Sequence, residues 1–291
     1  MNYPKSVILK EVGPRDGLQN ESVFIDTEDK IKWINLLSET GLSYIELTSF
    51  VNPSWIPALK DAEEVVARIH RKPGIVYAAL VPNTRGLERA LRVNVEEVSI
   101  FMSATESHNQ KNINKSITAT LPILKEVADV AVSANKTVRG YLSTVFGCPY
   151  EGQTNLENVL KVTESLFEMG VNEVSLGDTI GKATPAEVRK VLASLLEYFP
   201  AEKLAMHFHD TNGMAVQNVL ASLDMGISKF DGAISGLGGC PYAVGAPGNV
   251  ATEKLVTLFE EHSIGTGVDM QKLTVAKEYI QKKLSEAVLV I

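Results

Sequence analysis

The chain has 291 residues, of which 45% are hydrophobic, and a formal net charge of −7. This length and apolar content suffice for one large α/β domain or two medium ones. The mild acidity, with no run rich in lysine or arginine, argues against a nucleic-acid partner. Two cysteines in so long a chain predict no disulfide framework and favour a reducing, cytoplasmic location.

The N-terminal stretch "MNYPKSVILKEVGPRDG" contains one short apolar segment, which Lys10 and Glu11 interrupt. This segment is too short for a signal peptide, and no apolar run in the chain approaches the length that spans a membrane. We therefore expect a soluble protein with no membrane partner.

Short apolar, β-branched runs recur about every thirty residues. In chain order they are "SVILKEV" at 6, "SYIEL" at 43, "GIVYAAL" at 74, "EEVSIFM" at 96, "TVRGYLST" at 137, "NEVSLGD" at 172, "KLAMHFHD" at 203 and "FDGAISG" at 230. Strands that alternate with helices predict a parallel sheet, and eight of them close a (β/α)8 TIM barrel. A doubly wound open sheet is the alternative, although neither a G-x-G-x-x-G after the first strand nor a P-loop motif occurs.

The segments between these runs have helical spacing and helix punctuation. In "TPAEVRKVLASLLEYFP", Thr184 suits the N-cap, Pro185 the first helical position and Glu187 a capping box. "NLENVLKVTESLFEMG" and "EDKIKWINLLSETG" are similar, and each stops at a glycine, Gly170 and Gly41. Because no linker, low-complexity tract or change of composition interrupts the pattern, we expect a single catalytic domain over residues 1–291.

Polar side chains collect where the predicted strands end, which is where barrel enzymes place their active sites. They are Arg15, Asp16 and Gln19 after the first strand, Glu46 in the second, Asp178 at the end of the sixth, and His207 and His209 in the seventh. The sequence therefore predicts the active site at the C-terminal ends of the strands.

The two histidines of "MHFHDTNG" point to a metal. On a strand, residues i and i+2 share a face, so His207 and His209 would project together into the barrel mouth. The alternative is that one histidine is a satisfied core residue and the other is exposed. Asp16 is a candidate third ligand and Asn249 a neutral oxygen donor. This mixed nitrogen and oxygen set suits Mg²⁺ or Mn²⁺, while catalytic zinc is not excluded.

Three charged residues have alternative interpretations. A turn after the first strand would aim Arg15 at the mouth, where its planar fork suits a carboxylate or a developing enolate oxygen. Otherwise Arg15 forms a salt bridge with Asp16 or Asp178. A bond to Arg15 or to a histidine would offset the burial of Glu46. Asp178 is a candidate ligand, base or charge partner.

A glycine-rich stretch, "GLGGCPYAVGAPGN" at residues 236–249, follows the eighth strand. Five glycines favour a sharp turn, a close approach to a ligand or a moving lid that carries Cys240. "GCPY" also occurs at 147, and we expect chemistry at Cys240 and a structural role for Cys148. Tight turns without a function remain the alternative for the glycines.

Six motifs together resemble the 3-hydroxy-3-methylglutaryl-CoA lyase family, from about residue 8 to about residue 275. They are "EVGPRDGLQNE", "ELTSFV", "VRGYLSTVFGCPYEG", "VSLGDTIG", "HFHDTNG" and "GLGGCPYAVGAPGNVATE". The resemblance implies cleavage of 3-hydroxy-3-methylglutaryl-CoA to acetoacetate and acetyl-CoA with Mg²⁺ or Mn²⁺, as in leucine degradation and ketone body formation. It also implies an acyl-CoA partner and a homodimer.

The same resemblance implies roles for individual residues. The family's metal ligands fall on Asp16, His207, His209 and Asn249, its enolate-stabilising arginine on Arg15, its loop cysteine on Cys240, and its supporting acids on Glu46 and Asp178. General acid and base roles stay open among His207, Cys240, Asp178 and Glu46. Gln19 is a candidate substrate-binding residue beside Arg15.

Two other functions compete with this one. An aldolase or 2-oxo-acid condensing enzyme, similar to isopropylmalate or homocitrate synthase, would use the same barrel, because the first R-D-G motif is common to the wider group. A non-catalytic barrel that binds CoA or metal is the second alternative, and the complete set of ligands argues against it.

Overall fold

The computed structural model describes residues 3–239 and 248–288. Within these ranges, eight parallel strands close into a barrel in sequence order, and β8 pairs with β1. The strands are β1 (Ile8–Glu11), β2 (Tyr44–Ser49), β3 (Val76–Leu80), β4 (Glu97–Ser103), β5 (Thr137–Ser143), β6 (Glu173–Asp178), β7 (Leu204–Phe208) and β8 (Lys229–Gly232). The predicted TIM barrel is confirmed. The open-sheet alternative is wrong, because the pairing of the last strand with the first leaves no sheet edge.

Helices alternate with these strands and cover the outside of the barrel. Those in the described part of the chain are α1 (Thr27–Ser38), α2 (Ala62–Arg68), α3 (Thr84–Arg92), α4 (Glu106–Ile113), α5 (Ile117–Ser133), α6 (Leu156–Glu168), α7 (Pro185–Leu195), α8 (Ala215–Asp224), α9 (Thr252–Glu261) and α10 (Met270–Val288). The last helix returns to the first, where the Tyr279 hydroxyl donates to Asp29 Oδ1 at 2.5 Å.

Local sequence signals set the helix ends. The predicted capping box of α7 is confirmed, because Glu187 N donates to Thr184 Oγ1 and Thr184 N donates to Glu187 Oε2. Helices α1 and α6 end just before Gly41 and Gly170, which have φ values of 89° and 87°. Left-handed backbone favours glycine, so both predicted helix ends are confirmed. At each of them the chain leaves the helix and turns toward the next strand.

The apolar core lies between the sheet and the helices, whereas much of the barrel interior is polar. The buried core includes Trp33, Leu37 and Phe230. Inside the barrel, Arg139 of β5 and Ser175 of β6 both reach Asp231 of β8. Because these strands are not all neighbours, such contacts can only cross the interior. The barrel therefore holds a charged layer directly below its mouth.

Among the described residues, no helix combines the length and apolar character needed to span a membrane.

Candidate functional site

A tight turn after β1 presents the first two candidate residues. The N–H groups of Arg15, Asp16 and Gly17 all donate to the carbonyl of Val12, at 3.1, 2.7 and 3.3 Å, and wind Gly13–Gly17 into one wide turn. Arg15 and Asp16 consequently both line the cavity at the barrel mouth. The expectation that a turn aims both side chains at the mouth is confirmed.

Asp16, His207 and His209 form a cluster of potential metal ligands. Each offers one donor atom, and these atoms all lie within 4.8 Å of one another. The two imidazole centroids are 5.3 Å apart, and His207 Nε2 lies 4.0 Å from Asp16 Oδ2. Both histidines are buried, so the alternative with one of them exposed is wrong. The strand period places both rings on one face, as the sequence predicted.

The protonation of this cluster fits a divalent cation. Burial and the neighbouring His207 lower the pKa of His209 to about 4, so its imidazole is neutral at physiological pH. His209 Nδ1 is buried and has no hydrogen-bond partner among the described residues. Burial alone would raise the pKa of Asp16, but Arg15 and the two histidines lower it to about 2. An ionised carboxylate beside imidazole nitrogens is a ligand set for a divalent metal.

Asn249, the last residue of the glycine-rich stretch, contacts the cluster. Its amide nitrogen donates to Asp16 Oδ2 at 2.8 Å and to the Leu237 carbonyl at 2.9 Å. Its backbone forms an isolated bridge with His209. Because both N–H groups of the amide are engaged, the side-chain carbonyl is the atom that Asn249 would offer to a cation.

Arg15 is held by a network of buried partners. Its Nε donates to Glu46 Oε2 at 2.5 Å, its Nη1 donates to Asp16 Oδ1, and its guanidinium lies 5.0 Å from the centroid of the Tyr141 ring. The Tyr141 hydroxyl donates to the same Glu46 oxygen at 3.1 Å. Burial opposes the charge on Arg15, but Glu46 and Asp16 outweigh burial and raise the pKa of Arg15. Two of its five N–H donors are used in these bonds.

Of the two kinds of partner that the sequence offered for Glu46, Arg15 or a histidine, the structure shows Arg15. Its strand, β2, carries a register irregularity between Glu46 and Thr48, a feature common beside active sites because it redirects a side chain. The two interpretations of Arg15 are both met. Arg15 forms a salt bridge with Asp16, and it also lines the cavity at the barrel mouth.

Asp178 is held by its own loop. Its carboxylate accepts the N–H groups of Lys182 and Ala183, at 3.0 and 2.8 Å, and so fixes the loop that leads into α7. Burial raises the pKa of Asp178 to about 6. These contacts favour a structural role, and a catalytic role for Asp178 stays a prediction.

Gln19 lines the same cavity as Arg15, and its Oε1 is buried without a hydrogen-bond partner. That oxygen is available to a donor group of a ligand. The assignment of Gln19 to substrate binding stays a prediction.

Cys240 lies outside the described residues, so its predicted role stays a prediction. The ends of the glycine-rich stretch do meet, because a Cβ built on Gly248 would lie 2.0 Å from the carbonyl oxygen of Gly238. Cys148 is buried, and its sulfur accepts the Thr105 hydroxyl at 3.2 Å, which fits the structural role expected for it.

The cavity at the barrel mouth has a volume of about 440 Å³. The polar cluster forms one part of its wall, and apolar side chains, among them Val51, Ile56, Phe101 and Ile113, form another. An apolar cavity with a few convergent polar groups is typical of a small-molecule site.

Sequence reasoning missed three buried residues at the site: Tyr141, Asp231 and Arg139. His207 Nδ1 lies 3.2 Å from Asp231 Oδ2, and Arg139 pairs with the same carboxylate. The signal that identified Glu46, a charge inside an apolar strand, is also present in "TVRGYLST" and "FDGAISG" and could have found Arg139 and Asp231. No comparable signal marks Tyr141.

Comparisons with known proteins agree with this geometry. The HMGL-like family model matches residues 6–280. A hydroxymethylglutaryl-CoA lyase of Bacillus subtilis is 58% identical over 98% of this chain and 96% of its own length. The crystal structure of the Bacillus subtilis HMG-CoA lyase matches with a TM-score of 0.97, at 58% identity over 98% of this chain and 96% of that one.

A second solved relative, an HMG-CoA lyase from Acinetobacter baumannii in complex with coenzyme A and 3-methylmalate, is 37% identical. It has a TM-score of 0.92 and covers 98% of this chain and 93% of its own. These matches run through the barrel and all of its strand ends. The chain therefore belongs to the HMGL-like family, as its motifs predicted.

Proposed function

We propose that this protein is a metal-dependent carbon–carbon lyase that cleaves 3-hydroxy-3-methylglutaryl-CoA to acetoacetate and acetyl-CoA. The observation that carries the proposal is the convergence of Asp16, His207, His209 and Arg15 on one cavity, in a chain 58% identical to a hydroxymethylglutaryl-CoA lyase along nearly its whole length. The coenzyme A and 3-methylmalate bound by the Acinetobacter baumannii relative support an acyl-CoA partner here.

The cation would be held by Asp16, His207, His209 and the side-chain carbonyl of Asn249. Two imidazoles with oxygen donors suit Mg²⁺ or Mn²⁺. When bound, such a cation supplies Lewis acidity, which lowers the pKa of a substrate hydroxyl and fixes the substrate geometry.

Arg15 would stabilise the charge that develops in the reaction. As the C2–C3 bond breaks, the tertiary hydroxyl loses its proton and becomes the ketone of acetoacetate. The bond electrons move to the thioester oxygen as an enolate, which is then protonated at carbon to give acetyl-CoA. A guanidinium held by Glu46 and stacked near Tyr141 is oriented before the reaction and costs little reorganisation when it donates to that oxygen.

The contacts narrow the candidates for proton transfer. Glu46 is engaged by Arg15 and Tyr141, and Asp178 by the loop before α7, so both suit supporting roles. His207 has one ring nitrogen at Asp231, so it cannot serve as ligand and base at the same moment. We assign at least one transfer to Cys240 on the resemblance of its loop to that of the family.

A pair of cysteine variants tests that assignment. We expect Cys240→Ser to lower kcat by about 100-fold, a typical loss for a general acid or base, while Cys148→Ser keeps near-normal turnover. Normal turnover in Cys240→Ser would leave Cys240 with a structural role only.

We further propose one barrel domain over residues 1–291, a cytoplasmic location, a homodimer, and a place in leucine degradation and ketone body formation. The two cysteines and the family resemblance support these assignments. Size measurement in solution tests the homodimer.

The lyase assay tests the central proposal. The protein is incubated with 3-hydroxy-3-methylglutaryl-CoA and Mg²⁺ or Mn²⁺, and acetoacetate and acetyl-CoA are measured. A parallel reaction offers acetyl-CoA with a 2-oxo acid, the substrates of the condensing alternative. Turnover of the 2-oxo acid with no acetoacetate would overturn the proposal.

A further inference from the structure

Asp231 lies directly below the metal cluster. It is the register partner of His207 on the neighbouring strand, and both side chains face the barrel interior. Asp231 Oδ2 is 3.2 Å from His207 Nδ1, and the Asp231 side chain is fully buried. The contact therefore joins the ring nitrogen that faces away from Asp16.

The other partners of Asp231 determine the direction of this hydrogen bond. Its Oδ2 also accepts the Ser175 hydroxyl at 2.8 Å, and its Oδ1 accepts Arg139 Nη2 at 2.6 Å. The Arg139 guanidinium is fully buried and charged at every working pH, so this ion pair holds Asp231 as a carboxylate. A carboxylate oxygen only accepts, so the ring nitrogen that faces it, His207 Nδ1, must be the donor and carry a proton.

We propose that Asp231 is a positioning residue of the metal centre, which fixes His207 in the Nδ1–H tautomer and aims its Nε2 lone pair at the cation position beside Asp16. The inference rests on the proposed function in so far as the cluster binds a cation. A carboxylate that accepts from the second ring nitrogen is how proteins orient metal-binding histidines and raise their basicity. The Nε2 so aimed lies 4.0 Å from Asp16 Oδ2.

His209 is positioned by a different device. Its Nδ1 has no hydrogen-bond partner, while its backbone N–H donates to the Asp178 carbonyl at 3.2 Å and its backbone bridges to Asn249. Loss of Asp231 should therefore disturb one imidazole and leave the other in place.

Arg139 has a second carboxylate partner that serves as a control. Arg139 Nε donates to Glu173 Oε1 at 2.8 Å, and Lys10 and Lys229 pair with the same glutamate, each at 2.7 Å. Among the described residues, Glu173 pairs with Arg139, Lys10 and Lys229 and has no hydrogen bond or ion pair with His207. Replacing Glu173 or Asp231 by its amide thus deprives Arg139 of one charge partner, and only the Asp231 change reaches the imidazole.

The tautomer of His207 can be measured in the unchanged chain. The chain has five histidines, so ¹⁵N spectra of the histidine-labelled, full-length protein are simple, and a His207→Gln variant assigns the signal. We expect Nδ1 to be protonated and Nε2 unprotonated, with and without Mg²⁺. An Nε2–H tautomer would overturn the proposal.

Metal affinity gives the second test. We expect Asp231→Asn to weaken Mn²⁺ binding by about 10- to 100-fold, because an amide N–H facing Nδ1 selects the opposite tautomer. Glu173→Gln should change the Mn²⁺ Kd by no more than about twofold. Equal affinities in the two variants would overturn the role of Asp231, and if Asp231→Asn does not fold, the tautomer of the unchanged chain decides.

These outcomes are separable from a failure of the proposed function. An unchanged chain that binds no Mn²⁺ would remove the cation site itself. A chain that binds Mn²⁺ and has the Nδ1–H tautomer but releases no acetoacetate would remove the lyase activity and leave the role of Asp231 intact.

Discussion

Asn249 Nδ2 donates to Asp16 Oδ2 at 2.8 Å, although 233 positions of sequence separate the two residues. Asp16 lies in the turn after β1, and Asn249 is the last residue of the glycine-rich stretch that follows β8. Because β1 pairs with β8 in the closed barrel, the two ends of the fold meet at this bond. The position of Asn249 therefore depends on how closely the backbone packs at the ends of that stretch.

The Gly248→Ala variant should displace Asn249 and weaken cation binding. The added Cβ would lie 2.0 Å from the Gly238 carbonyl oxygen, closer than any Cβ contact allows, so the backbone next to Asn249 must shift. We expect the Mn²⁺ Kd to rise at least about tenfold, as when a ligand loses its support, measured by titration calorimetry. Gly239→Ala is the matched control, because its Cβ would meet no atom of residues 3–239 and 248–288 within 4 Å. Equal Kd values in the two variants would contradict the prediction.

The His209→Ala variant should lose both cation binding and activity. It removes one of three clustered donors, the one whose Nδ1 is buried and unpartnered. We expect the Mn²⁺ Kd to rise by about 100-fold or more and acetoacetate release to fall in parallel. His70→Ala, at an exposed position, should keep both properties. Activity that survives without measurable Mn²⁺ binding would show that the cluster is not the reaction centre.

Local patterns predicted the fold almost completely. All eight predicted strand runs overlap the observed strands. These signals are local, because an apolar β-branched run or a glycine at a helix end influences only the few residues around it. The strand-end rule then placed Arg15, Asp16 and the two histidines around one mouth before any register was known. The order in which the strands pair followed from their number alone, because eight parallel strands close a barrel in sequence order.

The layer below the mouth was not predictable in the same way. Arg139 and Asp231 are 92 positions apart and lie on strands that are not neighbours, so their pairing depends on the stagger of the closed sheet. Sequence could show that each charge was buried in a strand, but it could not show which opposite charge it met.

The Arg15→Gln variant should separate cation binding from turnover. Glutamine cannot carry the charge that would stabilise an enolate oxygen, whereas the donors of Asp16, His207 and His209 remain. We expect kcat to fall by about 10²- to 10³-fold, as when one oxyanion donor is removed, with the Mn²⁺ Kd within a few-fold of the unchanged chain.

Arg15→Lys is the companion variant. It keeps the charge but loses the planar fork that reaches Glu46 and Asp16 together, so an intermediate kcat is expected. Near-normal kcat in Arg15→Gln would remove Arg15 from the chemistry and leave it as a structural ion pair.

Glu11 should make the stability of the barrel depend on pH. Its side chain is fully buried and accepts the N–H groups of Gly13 and Ile234, at 2.8 and 3.0 Å, and the Thr252 hydroxyl at 2.6 Å. Burial outweighs these donors and raises its pKa from 4.5 to about 7. The native state thus binds this proton more tightly than the unfolded state. Its stabilising contribution is complete below pH 4.5 and is lost as the pH rises to about 7.

The Glu11→Gln variant should remove this dependence. Gln also loses hydrogen-bond acceptors, which lowers the free energy of unfolding by an amount that does not vary with pH. Between pH 5 and pH 8, the unchanged chain should therefore lose about 2–3 kcal/mol relative to the variant, measured by urea unfolding at both values. Glu164→Gln, on the exposed face of α6, should follow the unchanged chain. A constant difference between Glu11→Gln and the unchanged chain would mean that Glu11 stays ionised throughout, with its three donors outweighing burial.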